Sequence, residues 1–236
     1  MALSRRDFGR KVLAGVAAGA VVGTGACGSD DGSTATGGTG GGAAGTGGTN
    51  SCTLYPRQTE GPFYLDLDSI RQDITEGKAG AVLSLVVKVQ DEACAPLKDL
   101  AVDVWHCDAA GVYSGFPGQL GGLDTTGMTF LRGTQLTDAD GAAGFTTIYP
   151  GWYPGRTTHI HFKVHSSSTM EATSQIYFPE DVTSEVYGTA PYDARGQKDT
   201  ANDADGIAIA NPAPLAEVTG DASSGYVATI VVTVAS

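Results

Sequence analysis

Two histidines one residue apart, His159 and His161, follow a turn punctuated by proline and glycine, Tyr149-Pro150-Gly151-Trp152-Tyr153-Pro154-Gly155. In an extended chain, residues i and i+2 point to the same face roughly 7 Å apart, so both imidazoles can converge on one ion. Ile160 then faces the other way, into a core. Tyr153 sits on the turn, where Pro154 fixes one dihedral and Gly151 and Gly155 permit sharp reversal. Such a turn can bring the Tyr153 phenol back over the histidines.

A second segment, Val102-Asp103-Val104-Trp105-His106-Cys107-Asp108-Ala109-Ala110-Gly111-Val112-Tyr113, ends a strand and places Tyr113 just after a tight turn. Two phenols and two imidazoles suit a hard trivalent metal, because phenolate favours Fe(III), whereas Fe(II) sites usually combine two histidines with a carboxylate. No Asp or Glu lies within two residues of the histidine pair, which weakens the carboxylate-based alternatives. Tyrosines are poor zinc donors, so a structural zinc site is a weak third reading. Taken singly, each residue has a plainer role: the histidine pair as hydrogen-bonded core or surface, Tyr113 as a packing tyrosine, Arg156 as a solvated turn residue. His165, beyond the pair on the same strand, reads as structural. Asp138-Ala139-Asp140-Gly141 lacks the spacing and closing Glu of a calcium loop and reads as a turn. Tyr55, Tyr64 and Tyr149 are equally suited to lining a pocket and to core packing.

The elements that must carry these residues are strands. Val82 to Gln90 alternates in part and is followed by a turn at Ala95-Pro96 and a second strand, 101 to 107. Further strands are expected at 129 to 136, 144 to 148, 159 to 165, 174 to 178 and 225 to 235. Short strands with Gly, Pro and Asp punctuation, and no long 3.6-residue period, predict an all-β fold: a β-sandwich of mainly antiparallel strands with long loops. The polar, Ala/Gly/Asp-rich stretch 196 to 224 reads as a surface excursion with little regular structure.

The chain has 236 residues, and its first fifty do not read as folded. Arg5-Arg6 precedes an uncharged Ala/Gly/Val stretch from Val12 to Ala26, the pattern of a twin-arginine export signal. That stretch is shorter than the roughly 20 residues that span a bilayer as a helix. Cys27 follows small residues, as in a lipoprotein cleavage box, although Thr24 replaces the usual leucine. The stretch 28 to 50 holds 10 Gly in 23 residues, a composition that stays flexible because it has little apolar surface to bury. The expected organisation is a signal over 1–27, a linker over 28–50 and one folded domain over 51–236, placed in the periplasm or at the cell surface. Cys27 provides a lipid tether; cleavage near Ala26 is the simpler alternative. From residue 51 onward there are 10 Lys and Arg against 23 Asp and Glu, a balance that argues against nucleic acid or anionic membrane as partner.

Three cysteines follow the leader: Cys52, Cys94 and Cys107. An odd number in an oxidising compartment allows one bridge and one leftover thiol. Cys94 lies near an expected hairpin turn and Cys107 at the far end of the returning strand, so that pairing needs an unusual bend. Cys52 with either partner is easier, and the choice stays open.

Thr59-Glu60-Gly61-Pro62-Phe63-Tyr64, the Val104 to Tyr113 segment, Phe130-Leu131-Arg132-Gly133 with Thr137-Asp138, Thr147 to Pro154, and His159-Ile160-His161-Phe162 occur in order. Their order and approximate spacing resemble the intradiol ring-cleavage dioxygenases, with the protocatechuate 3,4-dioxygenase core and the exported branch of that family most similar. The resemblance covers about 53 to 178, most of the expected domain. It implies a non-haem Fe(III) held by Tyr113, Tyr153, His159 and His161, with Tyr113 and His159 equatorial and the other two axial. Tyr153 would leave the metal when a catechol binds and help take up a substrate proton. Arg156 matches the family's active-site arginine, a fixed charge that stabilises negative charge developing during reaction, and Gln175 matches its pocket glutamine. His106 has no metal role in the matching segment. The implied reaction inserts both atoms of O2 between the hydroxylated carbons of a small aromatic diol to give a muconate-type diacid. The alternative is a non-catalytic surface β-sandwich that binds ligands in the same cleft. Two features depart from the protocatechuate enzymes: only five residues separate Tyr153 from His159, and Trp152 stands where proline is common. The shorter loop implies a more open pocket.

Overall fold

The computed structural model describes residues 51–166 and 171–235. The twin-arginine segment, Cys27 and the Gly-rich linker lie outside the described residues. Strand β1, Val82–Gln90, alternates as its sequence requires: Leu83, Leu85, Val87 and Val89 are buried, while Val82, Ser84 and Lys88 are exposed. It pairs antiparallel with β4, Ala142–Ile148, and parallel with β8, Gly225–Thr233; β7, Glu217–Asp221, closes the far side, giving the order β4-β1-β8-β7. The second sheet is antiparallel throughout, in the order β3-β2-β5-β6: Arg132–Leu136, Ala101–Trp105, His159–His165 and Glu171–Tyr177. Leu85, Val87, Phe145 and Ile230 of the first sheet share one core with Val104, Ile160, Phe162 and Val164 of the second. Each such side chain contributes about 1.5–3 kcal/mol on full burial.

Several expectations are corrected. The strands at 82–90 and 101–105 are not a hairpin. The chain turns locally where Gln90 bridges Pro96, then crosses to the other sheet, so that two one-sided apolar strands face each other across the core instead of lying side by side. The strand expected from 129 starts only at Arg132, because Leu131 takes φ +57°, and the one expected to 107 ends at Trp105. A helix, α1, Glu180–Tyr187, appears among the strands; it buries Thr183, Val186 and Tyr187, a stripe spaced for a helix but too short to read as a period. The stretch 196–224 is not structureless. It contains a short helix, α2, Gly206–Ala210, and strand β7. Only Val218 and Thr219 of β7 favour a strand, and its order comes largely from pairing with β8 at a sheet edge. Cys52 is bonded to Cys94, and Cys107 is a free, buried thiol.

Strand β5 is buried on both faces. Its second face carries a cross-strand row, Arg132–Trp105–His161–Gln175, set by the register of all four strands. A strap from Tyr55 to Tyr64 covers that face. Gln58 N–H donates to the Thr173 carbonyl at 3.0 Å, Gln175 Nε2 to the Thr59 carbonyl at 3.1 Å and Tyr64 Oη to Asp103 at 2.8 Å. Lys163 pairs with Glu60 at 2.9 Å.

Candidate metal centre

His159 opens β5, and its Nδ1 lies 2.7 Å from the Thr157 carbonyl. A carbonyl only accepts, so Nδ1 carries the proton and Nε2 presents a lone pair. That Nε2 stands 3.1 Å from Tyr153 Oη and 3.5 Å from Tyr113 Oη. His161 shares the face, with ring centroids 4.8 Å apart. Its ring stacks nearly parallel on Trp105, 5.1 Å away, and its buried Nδ1 has no hydrogen-bond partner among the described residues. Gly61 of the strap passes so close that a Cβ there would sit 3.3 Å from His161 Cε1.

Tyr113 is delivered by a turn in which Asp108 Oδ1 accepts from the Ala110 and Val112 amides, each at 3.0 Å, while Gly111 takes φ +80°. Its ring stacks on Phe63 at 4.4 Å, and the two phenol rings meet edge to face at 5.8 Å. The turns carrying the two tyrosines touch backbone to backbone. A Cβ on Gly111 would sit 3.0 Å from the Trp152 carbonyl carbon and closer still to its oxygen; one on Gly151 would sit 2.7 Å from the Ala109 carbonyl oxygen.

Burial dominates the electrostatics. It drives the His159 pKa down to about 3, reinforced by the Arg156 charge, and holds His161 well below the ordinary range, reinforced by His159 and Arg156. Both imidazoles are therefore neutral and available as donors. Burial likewise raises Tyr113 far above an ordinary phenol, with Tyr153 adding to it. Tyr153 is pushed up to about 12 by burial, opposed by Arg156. A nearby multivalent cation reverses this logic for a phenol.

Arg156 points its Nη1 toward Tyr153 Oη at 3.5 Å and donates from Nη2 to Gln175 Oε1. Gln175 Oε1 also accepts from Tyr177 at 3.2 Å. Three residues here went unassigned in the sequence. Asp205 accepts from Arg156 Nε at 2.7 Å and lies 49 residues away; its only local signal is that of a helix cap ahead of a short Ile/Ala run. Trp105 and Arg132 stand within the family-like motifs, but only the sheet register shows that Trp105 lies beside His161 and Arg132 on the far side of Trp105. His106 is bonded elsewhere, Nδ1 to the Cys107 carbonyl and Nε2 to Thr147. His165 lies between Asp103 and Glu171. Tyr149 bonds Thr183 and packs on Phe178 in the core, Tyr55 packs on Phe162, and Tyr64 packs beside Trp105 behind His161. Asp138 closes a turn through the Asp140 and Ala142 amides.

Among the described residues no three His, Cys, Asp or Glu side chains gather as a metal group. The donors that do gather are two phenols and two neutral imidazoles, one with its tautomer fixed, and this set fits a ferric ion better than zinc or Fe(II).

A family model described as "Dioxygenase" matches residues 58–188, more than half of the chain and all four gathered donors. The chain belongs to the intradiol ring-cleavage dioxygenase family. Among solved structures, it is similar to an intradiol ring-cleavage dioxygenase from Tetranychus urticae, with 29% identity and a TM-score of 0.72 over 78% of this chain and 95% of that one. It is also similar to the dioxygenase domain of a dioxygenase carbohydrate-binding protein fusion from Streptomyces sp. SirexAA-E, with 31% identity and a TM-score of 0.55 over 78% and 99%. A protocatechuate 3,4-dioxygenase beta chain from Burkholderia cepacia is 33% identical over 139 residues, 54% of this chain and 57% of that one. The chain spans about half the length of the curated dioxygenases it matches.

Proposed function

We propose that the folded domain is a non-haem Fe(III) intradiol dioxygenase that opens a catechol-type ring between its hydroxylated carbons, consuming O2 and giving a muconate-type diacid. The observation carrying this reading is the convergence of two phenols, the buried Tyr113 and the half-buried Tyr153, on the lone pair of His159, whose other nitrogen is committed to Thr157. Tyr113, Tyr153, His159 and His161 would hold the ion. When bound, a ferric ion supplies the Lewis acidity that keeps phenolates and a catecholate ionised in a buried site.

The protein's own part is positional and electrostatic. Tyr153 is the less enclosed of the two phenols, so its oxygen is the one an incoming diol can reach and, once ionised with the help of the guanidinium beside it, the one that can take up a proton. Arg156 keeps a fixed positive charge next to that oxygen. Trp105, Phe63 and Tyr177 wall the donors with aromatic surface and limit water. Export is part of the proposal, by a twin-arginine route with Cys27 as a lipid tether as the leader's sequence suggests; the Cys52–Cys94 bridge supports an oxidising destination, where such bonds persist, and bears on neither the route nor the tether.

Purified protein loaded with iron is expected to be reddish from tyrosinate-to-iron charge transfer, to shift on adding a catechol, and to lose the band in Tyr113→Phe. Oxygen uptake across a panel of catechols reports ring opening, with muconate products separating intradiol from extradiol cleavage. A colourless wild type holding stoichiometric zinc refutes the reading.

A further inference from the structure

The loop between Tyr153 and His159 is gripped along its length by the stretch 195–205, which lies beyond the family match. Trp152 Nε1 donates to the Gly196 carbonyl at 3.0 Å and its ring packs under Arg195 at 4.3 Å. The Gly155 amide donates to Asp199 at 3.2 Å. Thr157 Oγ1 bonds Asn202 at 2.6 Å. At the centre is Asp205, whose side chain has no solvent exposure. Its two oxygens divide the work. Oδ2 accepts from Arg156 Nε at 2.7 Å and from the Thr157 amide at 2.9 Å. Oδ1 accepts from the Ile207 and Ala208 amides at 2.9 and 3.2 Å, capping α2.

We propose that Asp205 is the positioning residue for Arg156: a buried carboxylate that touches no substrate but aims the guanidinium at Tyr153 Oη and Gln175. The assignment rests on the dioxygenase reading for its kinetic consequence, though not for the geometry itself. An arginine side chain has several rotatable bonds and a fork of donors. With Nε fixed by Oδ2 and Nη2 by Gln175, the guanidinium plane is set and Nη1 faces the phenol. The Thr157 amide is held by the same oxygen, so the backbone whose carbonyl fixes the His159 tautomer is tied to Asp205 as well. The short loop has few contacts of its own, and the later excursion supplies them.

Asp205→Asn tests this. If its oxygen keeps the cap, its NH2 meets two N–H donors where a carboxylate oxygen stood, and Arg156 is released. Asp205→Ser retains a capping hydroxyl and removes the carboxylate without adding a donor. In iron-loaded protein each variant is expected to lower kcat on the order of 10-fold to 100-fold, the scale of a misplaced catalytic group. KM should move much less, and each change should cost distinctly less in an Arg156→Ala background than in the wild type, the remainder being the lost bond to the Thr157 amide. In metal-free protein, the Arg156 Nε–H NMR signal, slowly exchanging in the wild type, should exchange fast in both variants. A protected signal in the variants, a kcat within twofold of wild type, or an additive loss in the Arg156→Ala background overturns the proposal. So does failure of both variants to fold while Arg156→Ala folds, which makes the carboxylate a support of the fold alone. A wild type without ring-cleavage activity but with an Nε–H signal that depends on Asp205 refutes the dioxygenase reading and leaves the positioning role standing.

Discussion

Gly111→Ala should damage the centre more than its single methyl suggests, because Gly111 meets two demands at once. At φ +80° an L side chain costs roughly 1–2 kcal/mol in backbone strain. Its Cβ would also sit 3.0 Å from both the Trp152 carbonyl carbon and Leu120 Cδ1, and nearer the Trp152 oxygen. Carbon contacts are comfortable at about 3.5–4.0 Å, so the turn holding Tyr113 must retreat from the turn holding Tyr153. Overpacking of this kind costs about 1–3 kcal/mol, for a total of roughly 2–5 kcal/mol. Gly155→Ala is the control: Gly155 has nearly the same dihedral, φ +81°, with nothing within 4 Å of the new atom. Gly151→Ala attacks the same seam from the other side, without a positive φ. Urea unfolding of metal-free protein should place Gly111→Ala at least about 1 kcal/mol below Gly155→Ala, that being the low end of the overpacking cost. The visible band per iron should weaken in Gly111→Ala and Gly151→Ala and persist in Gly155→Ala. Equal stabilities for Gly111→Ala and Gly155→Ala, with the band intact in both, would show that the two tyrosine-bearing turns do not depend on this approach.

Two further outcomes follow from burial and connectivity. His106, whose pKa is lowered to about 4 chiefly by burial, stays neutral in the fold where the unfolded chain takes up a proton; stability is therefore highest above about pH 6.5 and falls as pH drops toward 4, His106 alone accounting for roughly 1.5 kcal/mol between 6.5 and 5 and the buried His159 and His161 adding losses of the same sign. Urea midpoints of metal-free protein across that range check it, and a flat profile contradicts it. The Cys52–Cys94 bridge spans a sequence separation of 42, so Cys52→Ser is expected to cost up to about 4 kcal/mol by loop entropy, read as a lowered Tm that added reductant does not lower further.

How far the site could be read from the chain depends on how local each relation is. The spacing of His159 and His161 is a property of any strand, and Ile160 between them points into the core as that period requires. Tyr153 announced itself by the prolines and glycines around it. The hairpin expected at Ala95-Pro96 does not form, because nearness in sequence does not dictate pairing and the same alternation serves equally well across a sandwich. Strand β7 has the opposite difficulty: in Glu217-Val218-Thr219-Gly220-Asp221 only Val218 and Thr219 favour a strand, too short a signal to read, and the order comes from pairing with β8 and from Val218 packing against the core. Asp205 could be seen as a cap, but its bond to Arg156 depends on where a long excursion lands.

The row Arg132–Trp105–His161–Gln175 explains why one face of one sheet can be polar without unravelling. Arg132 is buried, its pKa lowered to about 10 by that burial and held up by Tyr113. Its donors go to neutral acceptors: the Phe63 carbonyl at 2.5 Å, Ser114 Oγ at 2.8 Å and the Ser114 carbonyl at 2.7 Å. Ser114 follows Tyr113, and Phe63 stacks on it, so both groups that Arg132 grips hold Tyr113 in place. Arg156 has Asp205 as its counter-charge, while the charge on Arg132 is met by dipoles. A buried cation met only by dipoles is costly, and an ionised Tyr113 beside it would offset that cost. The two arginines thus have different tasks: Arg132 fixes the enclosed Tyr113 in place, while Arg156, whose charge favours ionisation of both phenols, stands beside the more accessible oxygen of Tyr153, where a proton can come and go.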